Sequence, residues 1–403
     1  MAQVVITGVG LVTALGTSRE TTWERLLAGE TGIRGVTLFS PEGFRAKTAA
    51  QVDDKALDLS QVPPPVLAHA SRASRFALAA AAEALAQAEL MPEPGVSWAV
   101  VFGGGAAGLF EAEGFVERRF RLGPKARGVE AFVEVPQDAP ADRVAAAWGL
   151  CGERITVTTA CSSSTIAVGL GAELVRQGRA EVVLAGGADA LCRLTFAGFN
   201  SLRAVDPERA RPFDRRRQGL SIGEGAAVLV LESAERAAKR GARPLAAVLG
   251  LGITNDAYHM TQPEPSGSPW ARTVRAALAD AGMAPEDVGY INAHGTATEQ
   301  NDSAEWAAYA QVFGDRLPSI PVSSVKGAIG HCLCAAGGIE AAVTALALCT
   351  GWLPPTVGCE ELDPPCPLDP IPGKARRQQV EVALSSSFAF GGNSAVLVLG
   401  RAW

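Results

Sequence analysis

Two pairs of similar segments recur along the chain in the same order, and such a repeat restricts the fold to one built from two like units. The apolar run Trp98–Phe102 follows an Ala-rich helical stretch, and Val288–Asn292 follows a similar one. Further on, Ala227–Leu231 recurs as Ala395–Leu399. Chance matches in a chain rich in Ala, Val and Leu are the alternative. The repeat predicts two similar halves, residues 1–240 and 241–403, in place of the two or three unrelated domains that this length allows.

Short β-rich runs alternate with Ala-rich stretches of helical length in both halves. Examples of the runs are Val4–Gly8, Val182–Gly186 and Val380–Leu384. Such alternation predicts an α/β fold with largely buried strands. The 44 glycines and an aromatic content of only 6% favour close packing, with backbone near a ligand.

Charge and cysteine content exclude several functional classes. The 36 basic and 42 acidic residues give a net charge of −6, which disfavours general binding of nucleic acid. We expect no membrane span and no leader, because the long apolar stretches contain breakers and the apolar start lacks a positive region. The eight cysteines follow no disulfide spacing, which is typical of reduced thiols. These features predict a soluble, cytoplasmic protein.

A cysteine stands at a predicted strand-to-helix junction, in the segment Thr158-Thr-Ala-Cys-Ser-Ser-Ser-Thr165. Backbone N–H groups and the helix dipole at such a junction stabilise a thiolate, and the same N–H groups can receive an oxyanion. Cys161 is therefore a candidate nucleophile. The alternative is a small buried cysteine beside a serine N-cap.

Two of the four histidines lie at predicted strand or helix ends among glycines. His294 lies in Asn292-Ala-His-Gly-Thr-Ala-Thr298, and His331 follows Lys326-Gly-Ala-Ile-Gly330. Metal binding is the competing explanation. The chain has no His-Glu-x-x-His motif and no paired Cys-x-x-Cys spacing, so we expect no metal.

A glycine pair precedes the last predicted strand, in Phe388-Ala-Phe-Gly-Gly-Asn393. Adjacent glycines after an aromatic residue can present N–H groups and move, which is typical of a gate. A simple hairpin turn is the alternative.

These motifs and their order along the chain resemble those of the β-ketoacyl-ACP synthases. The order is Cys161, His294, Lys326, His331 and Phe390-Gly391-Gly392. The resemblance covers essentially the whole chain. It implies a thiolase-like five-layered αβαβα fold of two duplicated halves, the first carrying the nucleophile and the second carrying both histidines and the gate. It also implies decarboxylative condensation of malonyl-ACP with a Cys-bound acyl chain to give 3-oxoacyl-ACP, without a cofactor.

The resemblance assigns a role to each motif. Cys161 would carry the acyl group, and His294 and His331 would assist decarboxylation. Lys326 would give electrostatic support, with Glu305 as its ion-pair partner. The remaining assignments are an oxyanion hole from the backbone N–H groups of Cys161 and Phe390, a gate of Phe390, Gly391 and Gly392, and substrate-binding positions at Thr296, Thr298, Ala106 and Asp256.

The partners implied are an acidic acyl carrier protein and a second subunit, either another copy or a chain-length-factor homologue. The candidate residues for carrier docking are Arg72, Arg75, Lys125, Arg127 and Arg203. The chain departs from the family pattern at Ala389, at Asn393-Ser394 and at Cys334, where a glycine is usual. Ala106 stands where a bulkier residue often lines the acyl pocket.

Several interpretations stay open at this point. The pathway is fatty-acid elongation or type II polyketide or polyene synthesis, and in the second case the chain would be the ketosynthase subunit of a heterodimer. A non-catalytic carrier-binding scaffold is less favoured, because Cys161, His294 and His331 are all present. A thiolase acting on acyl-CoA is a third possibility.

Overall fold

The computed structural model describes residues 3–402 of the chain. The elements before residue 240 are, in chain order, β1 (Val4–Val12), α1 (Arg19–Leu27), β2 (Ile33–Gly35), β3 (Thr48–Ala50), α2 (Pro64–Leu67), α3 (Arg72–Ala88), β4 (Trp98–Gly103), α4 (Leu109–Leu122), α5 (Ala139–Trp148), β5 (Arg154–Val157), α6 (Ser163–Arg176), β6 (Val182–Asp189), α7 (Arg193–Ser201), β7 (Gly225–Ser233) and α8 (Ala234–Lys239). The elements after it are β8 (Ala246–Asn255), α9 (Ser268–Ala281), β9 (Tyr290–Asn292), α10 (Glu299–Phe313), β10 (Val322–Ser323), α11 (Lys326–Ile329), α12 (Ala336–Thr350), β11 (Trp352–Leu353), β12 (Arg376–Arg377), β13 (Val382–Phe388) and β14 (Asn393–Arg401).

Ten strands pair in the order β10-β9-β13-β14-β8-β1-β7-β6-β4-β5. The two halves join where the start of β1 pairs antiparallel with the start of β8. Outward from this junction, each half has two antiparallel pairings followed by two parallel ones. The sequence repeats occupy equivalent places, β4 with β9 and β7 with β14. The duplication is therefore a feature of the fold, whereas the boundary at residue 240 stays a prediction.

Helices separate these strands into layers. α3 and α5 pack on the outer face of the first half, and α9 and α10 pack on the outer face of the second. α6 and α12 lie between the two halves and contact strands of both. The result is the five-layered αβαβα arrangement that the motifs imply.

The inner strands are apolar along their whole length because both of their faces are covered. In β7, Leu229 and Leu231 belong to the central core, whereas Val228 and Val230 belong to the outer core with α3. Side chains at successive strand positions point to opposite faces, so a strand between two helical layers needs apolar residues at every position.

One helical stretch, Leu333–Thr350, is long and apolar enough to cross a membrane, and 89% of it is buried in the fold. It includes α12 of the central layer. Its position between the two halves accounts for its apolar composition, as expected of a core helix.

Candidate active site

Cys161 lies in the turn between β5 and α6, at the amino end of a 14-residue helix. The preceding Ala160 has φ +52°, a left-handed conformation that alanine adopts only when its surroundings impose it. Ser163 supplies this constraint, since its Oγ donates to the Ala160 carbonyl at 2.6 Å and accepts the N–H of Thr159 at 2.9 Å. The sequence around Cys161 therefore fixes the turn, and the cysteine is only 8% exposed.

His331 contacts the candidate nucleophile, Cys161, directly. Its Nε2 lies 3.0 Å from the Sγ of Cys161. Its Nδ1 accepts the N–H of Leu333 at 3.1 Å, so the ring proton resides on Nε2. The imidazole therefore offers an N–H donor to the sulfur.

A buried ammonium group fixes the second imidazole in the same way. Lys326, at the start of α11, donates from Nζ to the Nδ1 of His294 at 3.2 Å and also to the His294 carbonyl. The ring proton of His294 is therefore also on Nε2. Glu340 of α12 balances the charge in a fully buried ion pair with Lys326.

The prediction that Glu305 pairs with Lys326 is wrong. The Glu305 carboxylate is occupied by the backbone N–H groups of His294 and Gly295, both at 2.7 Å, and by the hydroxyl of Tyr309 at 2.8 Å. Burial raises the pKa of Glu305 to about 7. Glu305 thus holds the loop that carries His294, whereas Glu340 is the ion-pair partner.

The two imidazoles and the thiol converge on one point. The His294 and His331 ring centroids are 5.4 Å apart with an interplanar angle of 88°. One donor atom from each of the three side chains lies within 4.8 Å of the other two. Burial and the Lys326 charge hold the pKa of both imidazoles well below 6.5, so both are neutral at pH 7. Two neutral N–H donors can hold a carbonyl oxygen on which negative charge develops.

Cysteine and histidine are also ligands of zinc, and here they form a close cluster. The Nδ1 lone pairs are occupied by Leu333 N–H and the Lys326 ammonium. The Nε2 atoms then carry protons and have no lone pair to offer a cation. This hydrogen bonding suits an organic carbonyl oxygen, and the absence of a metal stays a prediction.

Opposing effects act on the pKa of the Cys161 thiol. Burial raises the pKa of Cys161 to about 11, while the Lys326 charge and hydrogen bonds from the backbone N–H groups of Phe390 and Cys161 act to lower it. These are the two N–H groups predicted to form the oxyanion hole. Both N–H groups therefore lie near the sulfur, and their role as an oxyanion hole stays a prediction.

The predicted gate lies between β13 and β14. The Phe390 ring stacks on Phe199 of α7, with centroids 5.9 Å apart and an interplanar angle of 27°. Gly391 N–H donates to the Met260 carbonyl at 2.8 Å, and Asp256 N–H donates to the Gly392 carbonyl at 3.0 Å. The loop of the predicted gate is therefore hydrogen-bonded to the segment that begins at Asp256.

The departures from the family pattern in this loop keep polar contacts. Ala389 N–H donates to the Asn393 carbonyl at 2.8 Å, and the Asn393 side chain accepts from the Asn255 amide at 3.1 Å. Ser394 Oγ donates to the Gly392 carbonyl at 3.3 Å. The loop thus has its own set of hydrogen bonds around the two glycines.

A cavity of about 400 Å³ contains Cys161, both histidines and the gate. Thr296 and Thr298 line it as predicted positions, and their hydroxyls lie 3.0 Å apart. Ala106 is buried outside this lining, so its contact with an acyl chain stays a prediction. Asp256 also lies outside the lining and contacts the gate instead.

Comparison with known proteins identifies the family. The β-ketoacyl synthase N-terminal domain matches residues 1–237, and the β-ketoacyl synthase C-terminal domain matches residues 245–360. The chain belongs to the β-ketoacyl synthase family. It is 38% identical to 3-oxoacyl-acyl-carrier-protein synthase 2 of Rhizobium meliloti (strain 1021), over 100% of this chain and 99% of that protein.

Other members of the β-ketoacyl synthase family come from polyketide pathways. The chain is 38% identical to the tetracenomycin polyketide synthase ketoacyl synthase alpha subunit of Streptomyces glaucescens, over 99% of this chain and 97% of that protein. Among solved structures, the ishigamide ketosynthase/chain length factor matches with a TM-score of 0.93 and 37% identity, over 100% of both chains. The thiolase-like fold that the motifs implied is thereby confirmed.

The prediction that Arg72 of this β-ketoacyl synthase docks the carrier protein is wrong. Arg72 is buried at the start of α3, where its guanidinium pairs with Glu224 at 2.6 Å and with Asp54 at 3.0 Å. A guanidinium held inside the fold by two carboxylates cannot meet a carrier protein. The other four candidates are exposed and stay predictions: Arg75, Lys125, Arg127 and Arg203.

Several residues of the site were not predicted from the sequence. Glu340 is the single charged residue of the apolar helix α12, and that isolation was a usable signal. Phe199, Trp270 and Arg45 line the cavity without any motif that marks them. They come from distant parts of the chain, so only the fold brings them together.

Proposed function

We propose that this protein is a β-ketoacyl-ACP synthase that joins an acyl group on Cys161 to malonyl-ACP and releases 3-oxoacyl-ACP and CO2. One observation carries the proposal: two neutral imidazoles, His294 and His331, have donor atoms within 4.8 Å of the Cys161 sulfur. An enolate forming beside the nucleophile needs such donors. Two relatives that are 38% identical to this chain are named as a 3-oxoacyl-acyl-carrier-protein synthase and a ketoacyl synthase subunit.

The first step is acyl transfer. The Cys161 sulfur attacks the thioester carbonyl of acyl-ACP, and the carrier thiol leaves with the proton that the cysteine gives up. The backbone N–H groups of Cys161 and Phe390 hold the oxygen of the tetrahedral intermediate. Removal of one such donor from an oxyanion hole typically costs about 2.7–4 kcal/mol of barrier stabilisation.

The second step is decarboxylation and condensation. The malonyl thioester oxygen accepts the Nε2–H groups of His294 and His331 as CO2 leaves, and the electron pair of the broken C–C bond passes to the enolate. The enolate carbon attacks the acyl-Cys161 carbonyl, the C–S bond breaks, and the departing sulfur takes one proton from water. Neutral imidazoles suit this role, because they stabilise the enolate oxygen by donating hydrogen bonds and keep their own protons.

The carrier protein would deliver its thioester through the cavity that contains Cys161. Arg45 and Arg203 are exposed and line that cavity, so they can meet a phosphate or an acidic partner. Arg75, Lys125 and Arg127 are exposed candidates for a wider docking surface. A local cluster of this kind allows an enzyme of net charge −6 to bind an anionic carrier.

The proposal is tested with purified protein, an acyl-ACP and malonyl-ACP, followed by mass spectrometry of the product and of the Cys161 peptide. The wild type should form 3-oxoacyl-ACP and carry an acyl group on Cys161. Cys161→Ala should form neither, whereas Cys359→Ala should remain active, because Cys359 is buried in the outer core of the second half. A wild type that is never acylated would favour a scaffold, and preference for acyl-CoA without decarboxylation would favour a thiolase.

We infer that the chain forms either a homodimer or a heterodimer with a chain-length-factor homologue. We place the protein in the cytoplasm, because a reducing compartment suits its eight free thiols. Large apolar side chains are exposed on α4 and just after it, including Phe120 at 88% and Val129 at 65%, as expected of a surface that a second subunit covers. The solution mass of the purified chain distinguishes the two assemblies. An active homodimer supports fatty-acid-type elongation, and an inactive chain rescued by a partner supports the heterodimeric polyketide type.

A further inference from the structure

Asp189 is a fully buried carboxylate at the end of β6 that the catalytic steps above do not use. Its Oδ1 accepts the N–H of Ala106 at 2.6 Å, and its Oδ2 accepts the N–H of Cys334 at 3.0 Å. Within residues 3–402, no ion pair or hydrogen bond joins it to a cationic side chain. Burial raises the pKa of Asp189 to about 6, against the opposing effect of these backbone N–H groups. Burial of a carboxylate without a cationic partner costs free energy, so we expect the contacts of Asp189 to serve a function.

The backbone that Asp189 holds is the backbone that orients His331. Cys334 lies in the short 3-10 turn Leu333–Ala335, which begins two residues after His331. Leu333 in that turn has φ +50°, and its N–H is the donor to the His331 Nδ1. A left-handed leucine is unfavourable by itself and persists only where neighbouring contacts hold it.

We propose that Asp189 is a positioning residue for His331. By holding the Cys334 N–H, it keeps Leu333 in the conformation that donates to the His331 Nδ1, and this donation keeps the Nε2–H aimed at Cys161. The inference rests on the proposed condensing function, in which that Nε2–H serves decarboxylation.

The Cys334 side chain adds a second contact to the same carboxylate. Its thiol hydrogen-bonds Asp189, and its sulfur lies over Gly105, where a side chain would collide with it. The family pattern has glycine at position 334, so this chain has one more group that fixes the turn. Cys334→Ala removes the thiol contact but keeps the backbone N–H, which makes it a milder test of the same link.

The test compares two partial reactions in Asp189→Asn. An amide nitrogen turned towards Cys334 cannot accept its N–H, so decarboxylation of malonyl-ACP should fall at least tenfold, while acylation of Cys161 by acyl-ACP should stay within threefold of the wild type. Glu83→Gln is the matched control, because this partly buried carboxylate of α3 also accepts backbone N–H groups, those of Leu11 and Arg19, and lies outside the cavity; both reactions should stay near wild type in it. Equal losses in both reactions of Asp189→Asn would indicate a general structural role and overturn the proposal.

A double variant separates positioning from folding. If Asp189 acts through His331, Asp189→Asn should lower the residual decarboxylation of a His331→Asn enzyme by less than twofold. A loss of the same size in both backgrounds would overturn the link. If Asp189→Asn does not fold, the same comparison is made with Asp189→Glu, whose longer side chain moves the carboxylate oxygen off the Cys334 N–H. A loss of decarboxylation alone is expected, and no loss, or equal losses in both reactions, contradicts the proposal. Failure of the wild type in either partial reaction would instead disprove the condensing function.

Discussion

Lys326 is a charged side chain buried in the core, and its ion pair with Glu340 compensates that charge. Both side chains are about 1% exposed, and the ammonium also donates to His294. A buried pair of this kind adds little stability over apolar residues, but loss of one partner leaves an uncompensated charge in a medium of low dielectric constant. The pair therefore acts mainly to place a positive charge beside the imidazoles and the thiol.

Lys326→Met should consequently lower the free energy of unfolding by about 3–5 kcal/mol, as measured by urea denaturation. The double variant Lys326→Met/Glu340→Gln should recover most of that stability without recovering decarboxylation, because His294 still lacks the donor that fixes its ring proton. Lys239→Met, which breaks an exposed ion pair with Glu235, serves as the control and should change stability by less than about 0.5 kcal/mol. A Lys326→Met protein as stable as the wild type would contradict a charged buried pair.

The Cys161 thiol leads to a second prediction at this scale. Its pKa of about 11 means that the thiolate is a minor species at neutral pH. As the pH rises towards that value, the fraction of thiolate increases about tenfold for each pH unit. Alkylation of the Cys161 peptide by iodoacetamide should therefore accelerate about tenfold per unit from pH 7 to pH 9. Both imidazoles are already neutral throughout that range, so they add no inflection. A rate that is flat with pH would show that the thiolate is already formed at pH 7.

At the scale of elements, the predicted gate contains two glycines that differ in their surroundings. Both have φ +77°, which strains any other residue. A methyl group at Gly391 would meet only the Asn393 side chain, at 3.5 Å, whereas one at Gly392 would collide with the Asp256 carboxylate. An alanine at Gly391 would therefore introduce backbone strain alone, whereas an alanine at Gly392 would add a steric clash to the same strain.

Gly391→Ala should slow acylation of Cys161 several-fold, through a strain of about 1–2 kcal/mol. Gly392→Ala should slow it at least tenfold, because the collision adds to the strain. Asp256→Ala in the Gly392→Ala background should recover part of the rate, which is followed as acyl-Cys161 formation by mass spectrometry. Equal effects of the two glycine variants, or no recovery, would show that Asp256 does not limit the loop.

Elements with a local signature could be predicted from the sequence, and those set by distant contacts could not. The Cys161 turn is determined by residues within a few positions, so its motif located it. The glycine pair marked the position of the Gly391-Gly392 loop, but the bonds from that loop to Met260 and Asp256 had no local signature. Arg72 was misplaced because its burial depends on Glu224, which lies 152 positions away. The Lys326 partner was misassigned because the choice between Glu305 and Glu340 depends on how α10 and α12 pack.

At the scale of the whole molecule, the duplication supplies two like units that share one core. α6 comes from the first half and α12 from the second, yet both belong to a single central cluster that includes strands of both halves. The nucleophile precedes α6, and His331 precedes α12. The contact between Cys161 and His331 therefore forms only where the two halves meet.

The halves should not fold as separate domains. Separation of residues 1–240 from 241–403 exposes the central layer, and exposure of only Val168, Leu174, Ile339 and Leu348 would cost about 6–12 kcal/mol, at about 1.5–3 kcal/mol each. That loss is comparable to the whole stability of a typical domain, about 5–15 kcal/mol. Each fragment expressed alone should give no cooperative urea transition by circular dichroism. The intact chain should give one transition that coincides by circular dichroism and tryptophan fluorescence. Co-expressed fragments should restore acylation of Cys161, whereas two separate transitions in the intact chain would show that the halves are independent.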